Sequence, residues 1–145
     1  MGNIPYKKAG PLVCCHGIVY YKIDHPKYKY QLAEDYTVLT PVDFGKVITT
    51  DFLHLTEKGF LTVKKLYAWD GASGPTIDCR SSMRGSLVHD AFYQLMRLSM
   101  LPFAWRRCVD KLFRSILLED GMWKFRAWLY YQGVSKFAGW AAKPK

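Results

Sequence analysis

The sequence predicts an α+β domain in which strands come first and helices follow. Three observations carry this. Short runs rich in β-branched and aromatic residues, punctuated by Pro- and Gly-containing turns, fill residues 13–69. From residue 84 to 139 the apolar period becomes helical. Between the two lies a Gly/Ser/Pro loop, residues 70–83. The 145 residues suit a single domain, and 50% hydrophobic with 16% aromatic content supplies an ordinary core.

Residues 1–12 read as an irregular arm, broken by Pro5, Gly10 and Pro11. Residues 17–23 form a strand. Asp24-His25-Pro26-Lys27 is a turn, because Pro26 fixes φ and offers no ladder donor. Residues 28–32 return as its partner, and residues 36–40 make a third strand ended by Pro41. Residues 52–56 and 60–67 flank Glu57-Lys58-Gly59 as a hairpin. Leu61 and Val63 alternate with Thr62 and Lys64, so one face is wet. One small antiparallel sheet of four or five strands is expected.

In the helical half, Leu87, Val88, Ala91, Phe92, Leu95 and Met96 form one stripe, with Ser82 or Ser86 as the cap. Residues 99–101 break the pattern, and Pro102 suits the first turn of a second helix. That helix is expected to bury Cys108, Val109, Leu112, Phe113, Ile116 and Leu117 and to end at Gly121. The first two helices are expected to form an antiparallel hairpin. A third helix, residues 123–138, is aromatic-rich and reads as core rather than as a lipid or base-stacking surface; Gly133 weakens it by ~1 kcal/mol relative to alanine. Residues 140–145 form a tail.

The net charge is +9 and unevenly placed. Residues 1–79 carry 9 Lys/Arg against 8 Asp/Glu, whereas residues 80–145 carry 12 against 4. Such a field favours an anionic partner: a lipid surface, an acidic protein surface, or less readily nucleic acid. A merely soluble helical face explains the charge equally well. The four cysteines show no C-x-x-C spacing, which argues against a zinc site. No signal peptide or transmembrane stretch is expected, so synthesis in the cytoplasm is the expectation. P-loop, dinucleotide and nucleophile-elbow motifs are absent from the sequence.

The candidate chemistry sits at the loop-to-helix junction. His89 lies about ten residues before the helix break and Asp110 about ten after it, so equal rise brings them level across the hairpin. If they face each other, Asp110 sets the imidazole tautomer and leaves the second nitrogen to deprotonate water. Tyr93, at i+4 from His89, shares its face. Asp90 is a candidate ligand for a hard cation, with carbonyls of the Gly-rich loop completing an oxygen shell. Asp70, Ser73 and Asp78 belong to the same loop. Bland readings stand beside these. His89 reads equally as a bonded core histidine, and Asp110 as one rung of an exposed ladder with Arg106 and Arg114. Asp70 and Ser73 also suit a simple Asx turn. His54 is the one histidine placed to complete a metal-dependent phosphohydrolase set, a weak alternative.

The segments Trp69-Asp70-Gly71-Ala72-Ser73-Gly74-Pro75, Leu87-Val88-His89-Asp90-Ala91-Phe92-Tyr93 and Asp110-Lys111-Leu112-Phe113, in this order, resemble the phage and prophage proteins of the domain of unknown function 1353 family. The resemblance covers roughly residues 45–140. It implies a bacteriophage origin and no established reaction, with a virion, tail or host-directed role open. His89-Asp90-x-x-Tyr93, with the helical Asp110, is also similar to phospholipase A2. That likeness implies His89 as the base, Asp90 as a calcium ligand with loop carbonyls near Gly71 and Gly74, and Tyr93 and Asp110 steadying the imidazole. It lacks the cysteine framework and the full calcium loop of the secreted enzymes. The expectations are a calcium-dependent lipid-ester hydrolase or, alternatively, a non-catalytic virion, tail or host-factor-binding protein.

Overall fold

The computed structural model describes residues 6–72 and 77–144, without the side chain of Phe137. The strands are β1 (Val13–Cys15), β2 (Ile18–Lys22), β3 (Tyr30–Leu32), β4 (Tyr36–Leu39), β5 (Ile48–Thr49), β6 (Leu53–Leu55), β7 (Phe60–Val63) and β8 (Ala68–Trp69). They form two four-stranded antiparallel sheets, ordered β1-β2-β3-β8 and β4-β7-β6-β5, with helices following in the chain. The α+β class is therefore present, but the single expected sheet is two.

The reason lies in two crossings. After Leu32 the exposed pair Glu34-Asp35 turns the chain away, and the Asp35 carboxylate accepts the Lys65 N–H at 2.8 Å. The run expected as one strand over residues 60–67 breaks after Val63. Leu66 takes a left-handed φ of 75°, and the chain then returns to the first sheet as β8. Alternation in sequence does not reveal such a break, because both pieces keep apolar residues at every second position.

The helices are α1 (Arg80–Arg97), α2 (Arg106–Glu119), α3 (Lys124–Phe137) and α4 (Gly139–Ala142), with a 3₁₀ turn at Phe103–Trp105 before α2. Helix α1 starts four residues earlier than its apolar stripe suggests. Cys79 occupies the N-cap position, and its N–H donates to the Ser82 hydroxyl at 2.9 Å. Gly85 permits close packing, since a Cβ there would meet Leu117 and Phe113 side chains at 3.2 Å. Arg84, early on α1, reaches Glu119 and Asp120 at the end of α2, while Tyr93 accepts from Arg106 at the start of α2. These pairs run α1 and α2 in opposite directions. The expected tail contains α4, pinned by Arg97 donating to the Ala141 carbonyl at 3.0 Å and by the fully buried Ala142.

Trp69, Tyr67, Phe92 and Phe113 are among the largest fully buried side chains. The Trp69 indole N–H donates to the Ser86 hydroxyl at 3.1 Å, which ties the end of β8 to α1. The strand-to-helix loop is therefore held from both sides by the core.

Candidate functional site

Helix α1 presents His89 and Tyr93 one turn apart, and α2 presents Arg106 and Asp110. His89 Nε2 lies 2.8 Å from Asp110 Oδ1, and the Tyr93 hydroxyl donates to the same oxygen at 2.6 Å. An ionised carboxylate only accepts, so that assignment places the imidazole proton on Nε2. Arg106 Nε donates to the Tyr93 oxygen at 3.2 Å and lies 3.8 Å from Asp110 Oδ2. Its guanidinium also donates to the backbone carbonyls of Val134 and Ser135 in α3. The four side chains thus join three helices.

This network is buried: His89 is 4% exposed, Tyr93 2% and Asp110 2%. Asp110 is therefore no rung of an exposed ladder. Arg114, its other expected partner, instead lies over the Tyr131 ring at 5.9 Å. The His89 ring packs 4.0 Å from Tyr93 and 5.0 Å from Phe113, centroid to centroid. His89 does not line the cavities that Asp90 and Asp110 border. Burial and its contact with Asp110 raise the Tyr93 phenol well above its usual range, against an opposing effect of Arg106.

Asp90 is separate from this network. Its Oδ2 accepts the Tyr67 hydroxyl at 2.6 Å, and it lines a cavity of about 450 Å³ with Tyr28, Gln94 and Arg97. Desolvation of its carboxyl raises it above the usual carboxylate range, although Tyr67, Arg97 and His89 pull the other way.

The loop has its own anchor, Asp78. Its Oδ2 accepts the Tyr30 hydroxyl at 2.7 Å and its Oδ1 the Ala72 N–H at 2.9 Å. Gly71 has φ +81°, and a Cβ there would lie 2.4 Å from Asp78 Oδ1. Glycine at 71 is thus explained by the approach of a carboxylate, without a cation. Asp70 is exposed; partial burial of its carboxyl raises it, Lys29 opposes and Asp78 adds. Ser73 and Gly74 lie outside the described residues. Among the described residues, no cluster of three His, Cys, Asp or Glu side chains is arranged to hold a metal ion. His54 bonds Thr49 at 2.9 Å within the second sheet.

Sequence reasoning missed a second polar cluster. Arg84 donates to both oxygens of Asp120, to Glu119 and to the Tyr36 hydroxyl. It also preferred core over a surface role for α3, whose outward face is apolar and exposed. At about 100° per residue, Phe125, Leu129, Gln132 and Lys136 share one stripe with Trp128 beside it. Ala127, Tyr130 and Val134 lie opposite and are buried. Phe125 is 69% exposed, and Trp123 and Trp140, flanking α3, are 84% and 75% exposed. Phe125 and Trp128 stack at 6.1 Å.

No protein-family model, no curated protein and no solved structure matches this chain significantly.

Proposed function

We propose that the protein is a phage-encoded, non-catalytic docking protein that binds an anionic lipid interface through the outward face of α3 and its flanks. One observation carries this reading: α3 is apolar on both sides, and its solvent side holds Phe125, Trp128 and Leu129 between Trp123 and Trp140. A contiguous aromatic patch of this kind marks an interaction surface. Lys124, Arg126 and Lys136 lie on the same helix, within the basic half of the chain. Tryptophan with basic neighbours suits the headgroup boundary. A second copy is a poor occupant, because each chain carries +9. Among the described residues no helix is long and apolar enough to cross a membrane. The 14-residue α3 therefore lies in the interface plane in this reading. The phage origin rests on the family resemblance alone.

The test is tryptophan fluorescence with phosphatidylcholine vesicles with and without phosphatidylglycerol. A blue shift that requires the anionic lipid, and is lost in Trp128→Ser with folding intact, supports the reading. No shift at low salt with either lipid sinks it.

A second reading, lipid-ester hydrolysis with His89 as base, is favoured by the His89–Asp110–Tyr93 geometry. Calcium at Asp90 would be its cofactor. Calcium-dependent fatty-acid release that vanishes in His89→Ala would establish it. Release absent with calcium and with chelator would leave the histidine as a packing element.

A further inference from the structure

We infer that the cleft between α2 and α3 is a phosphate-binding site. The cleft encloses about 310 Å³. Helix α2 lines it with Arg107 and Lys111, and α3 with Tyr131, Gln132, Ser135 and Lys136. Asp110 and Arg106 also contribute to its lining, but both are already engaged. Asp110 accepts from His89 and Tyr93 through Oδ1 while its Oδ2 pairs with Arg106 Nε at 3.8 Å, and Arg106 donates to Tyr93 and to carbonyls of α3. Three exposed cations remain, Arg107, Lys111 and Lys136, none with a carboxylate within 4.0 Å among the described residues.

A fourth cation, Arg114, touches a lining residue without lining the cleft itself. The Arg114 guanidinium lies over the Tyr131 ring, and its Nε is buried without a hydrogen-bond partner. Buried donors without acceptors are uncommon in folded proteins. The Ser135 hydroxyl and Gln132 amide add neutral donors. Three unpaired cations with neutral donors, against one carboxylate already paired with Arg106, suit a tetrahedral oxyanion with several acceptor oxygens.

The chemistry recognised is phosphate, and the source is the phosphodiester of a lipid headgroup. Gln132 and Lys136 line the cleft and also lie on the α3 stripe that carries Phe125 and Leu129. A chain held by those apolar residues at the headgroup boundary would bring the cleft to phosphate level. This choice of source rests on the docking reading; the site itself does not.

The experiment has two arms. Inorganic phosphate is titrated at constant ionic strength against chloride while backbone amide shifts are followed. Vesicles of phosphatidylcholine with phosphatidylglycerol are then titrated. Both arms use the wild type, Lys111→Gln/Lys136→Gln and Trp128→Ser. Phosphate is expected to shift amides of α2 and α3 around the cleft. Each removed lysine is expected to weaken vesicle binding about fivefold, and Trp128→Ser to spare phosphate binding. Phosphate shifts that match those of chloride, or that survive the double lysine substitution, overturn the site. Vesicle binding lost in Trp128→Ser but unchanged in the lysine variant keeps the docking reading and removes the cleft. Phosphate binding without vesicle binding keeps the cleft and removes the lipid as its source. Tighter binding of single-stranded DNA through the same lysines also overturns the lipid assignment.

Discussion

Asp110→Ala tests the idea that the His–Asp pair is architecture. The substitution removes the acceptor shared by His89 Nε2 and the Tyr93 hydroxyl, and the counter-charge 3.8 Å from Arg106 Nε. His89 and Tyr93 are at most 4% exposed, so water does not readily replace the carboxylate. Breaking a buried charged network from one side costs about 3–5 kcal/mol. A domain of this size shifts its Tm by about 3 °C per kcal/mol, so the expected drop is about 9–15 °C. Asp110→Asn keeps an oxygen for His89 and Tyr93 and loses mainly the charge facing Arg106. Its expected cost is smaller, about 1–2 kcal/mol. Urea denaturation with unchanged m-value measures both. An alanine variant within about 1 kcal/mol of wild type, or a larger loss for Asn than for Ala, would refute the reasoning. The network would then be dispensable for stability, and a functional reason for the buried histidine would gain weight.

Other consequences follow from the same geometry. Because burial raises the Asp90 carboxyl, the native state holds that proton at pH values where the unfolded chain has lost it. Stability from this group is full below the ordinary carboxylate pKa and falls as pH rises through the raised value. Asp90→Asn should therefore gain on wild type with rising pH in denaturation curves, and a pH-independent difference would contradict this. Gly71→Ala should cost about 1–3 kcal/mol. The cost should shrink in an Asp78→Ser background, because the 2.4 Å approach to Oδ1 disappears; additive losses in a double-mutant cycle would disprove the contact. Arg84→Met should destabilise by about 3 kcal/mol by stranding the buried Asp120, whereas Glu119→Gln should change Tm by less than about 3 °C. Burial acts against ionisation of Cys79, but Ser81, Ser82 and Arg126 prevail and lower its thiol, while burial raises Cys15 and Cys108. Iodoacetamide at neutral pH, read by mass spectrometry, should therefore label Cys79 before Cys15 and Cys108; equal rates would count against it.

The meeting of His89, Tyr93 and Asp110 was legible because helical rise is fixed. Equal distances from one break place residues level, and the i+4 spacing puts Tyr93 beside His89. What sequence did not supply was depth. The ladder reading of Asp110 used the same i±4 neighbours that α2 presents, yet the residue lies inside the bundle. The role of Gly71 was hidden for another reason. A glycine near an acid suggests a cation loop, whereas here the acid itself, Asp78, comes from seven positions on in the chain and fills the space. Its partner Tyr30 is 48 residues away, a separation that local pattern does not bridge. The two-sheet split turned on Leu66 in a left-handed conformation, which a leucine does not announce.

Helix α3 shows how a sequence signal fails and becomes informative. Its aromatics read as core in preference to a lipid or base-stacking surface, and apolar residues around a whole helix normally mean burial. The structure buries Ala127, Tyr130 and Val134 and leaves Phe125, Trp128 and Leu129 exposed. The apolar material was real; only half of it is covered by this chain. Fold stability does not account for the exposed half, since those side chains contribute little to the core they face away from. Solubility also argues against them, and lysine at Trp123 or Trp140 would remove apolar surface without opening a cavity. The docking reading proposed above gives this exposed aromatic face a role, with an anionic surface as the cover that the positive charge beside it suits.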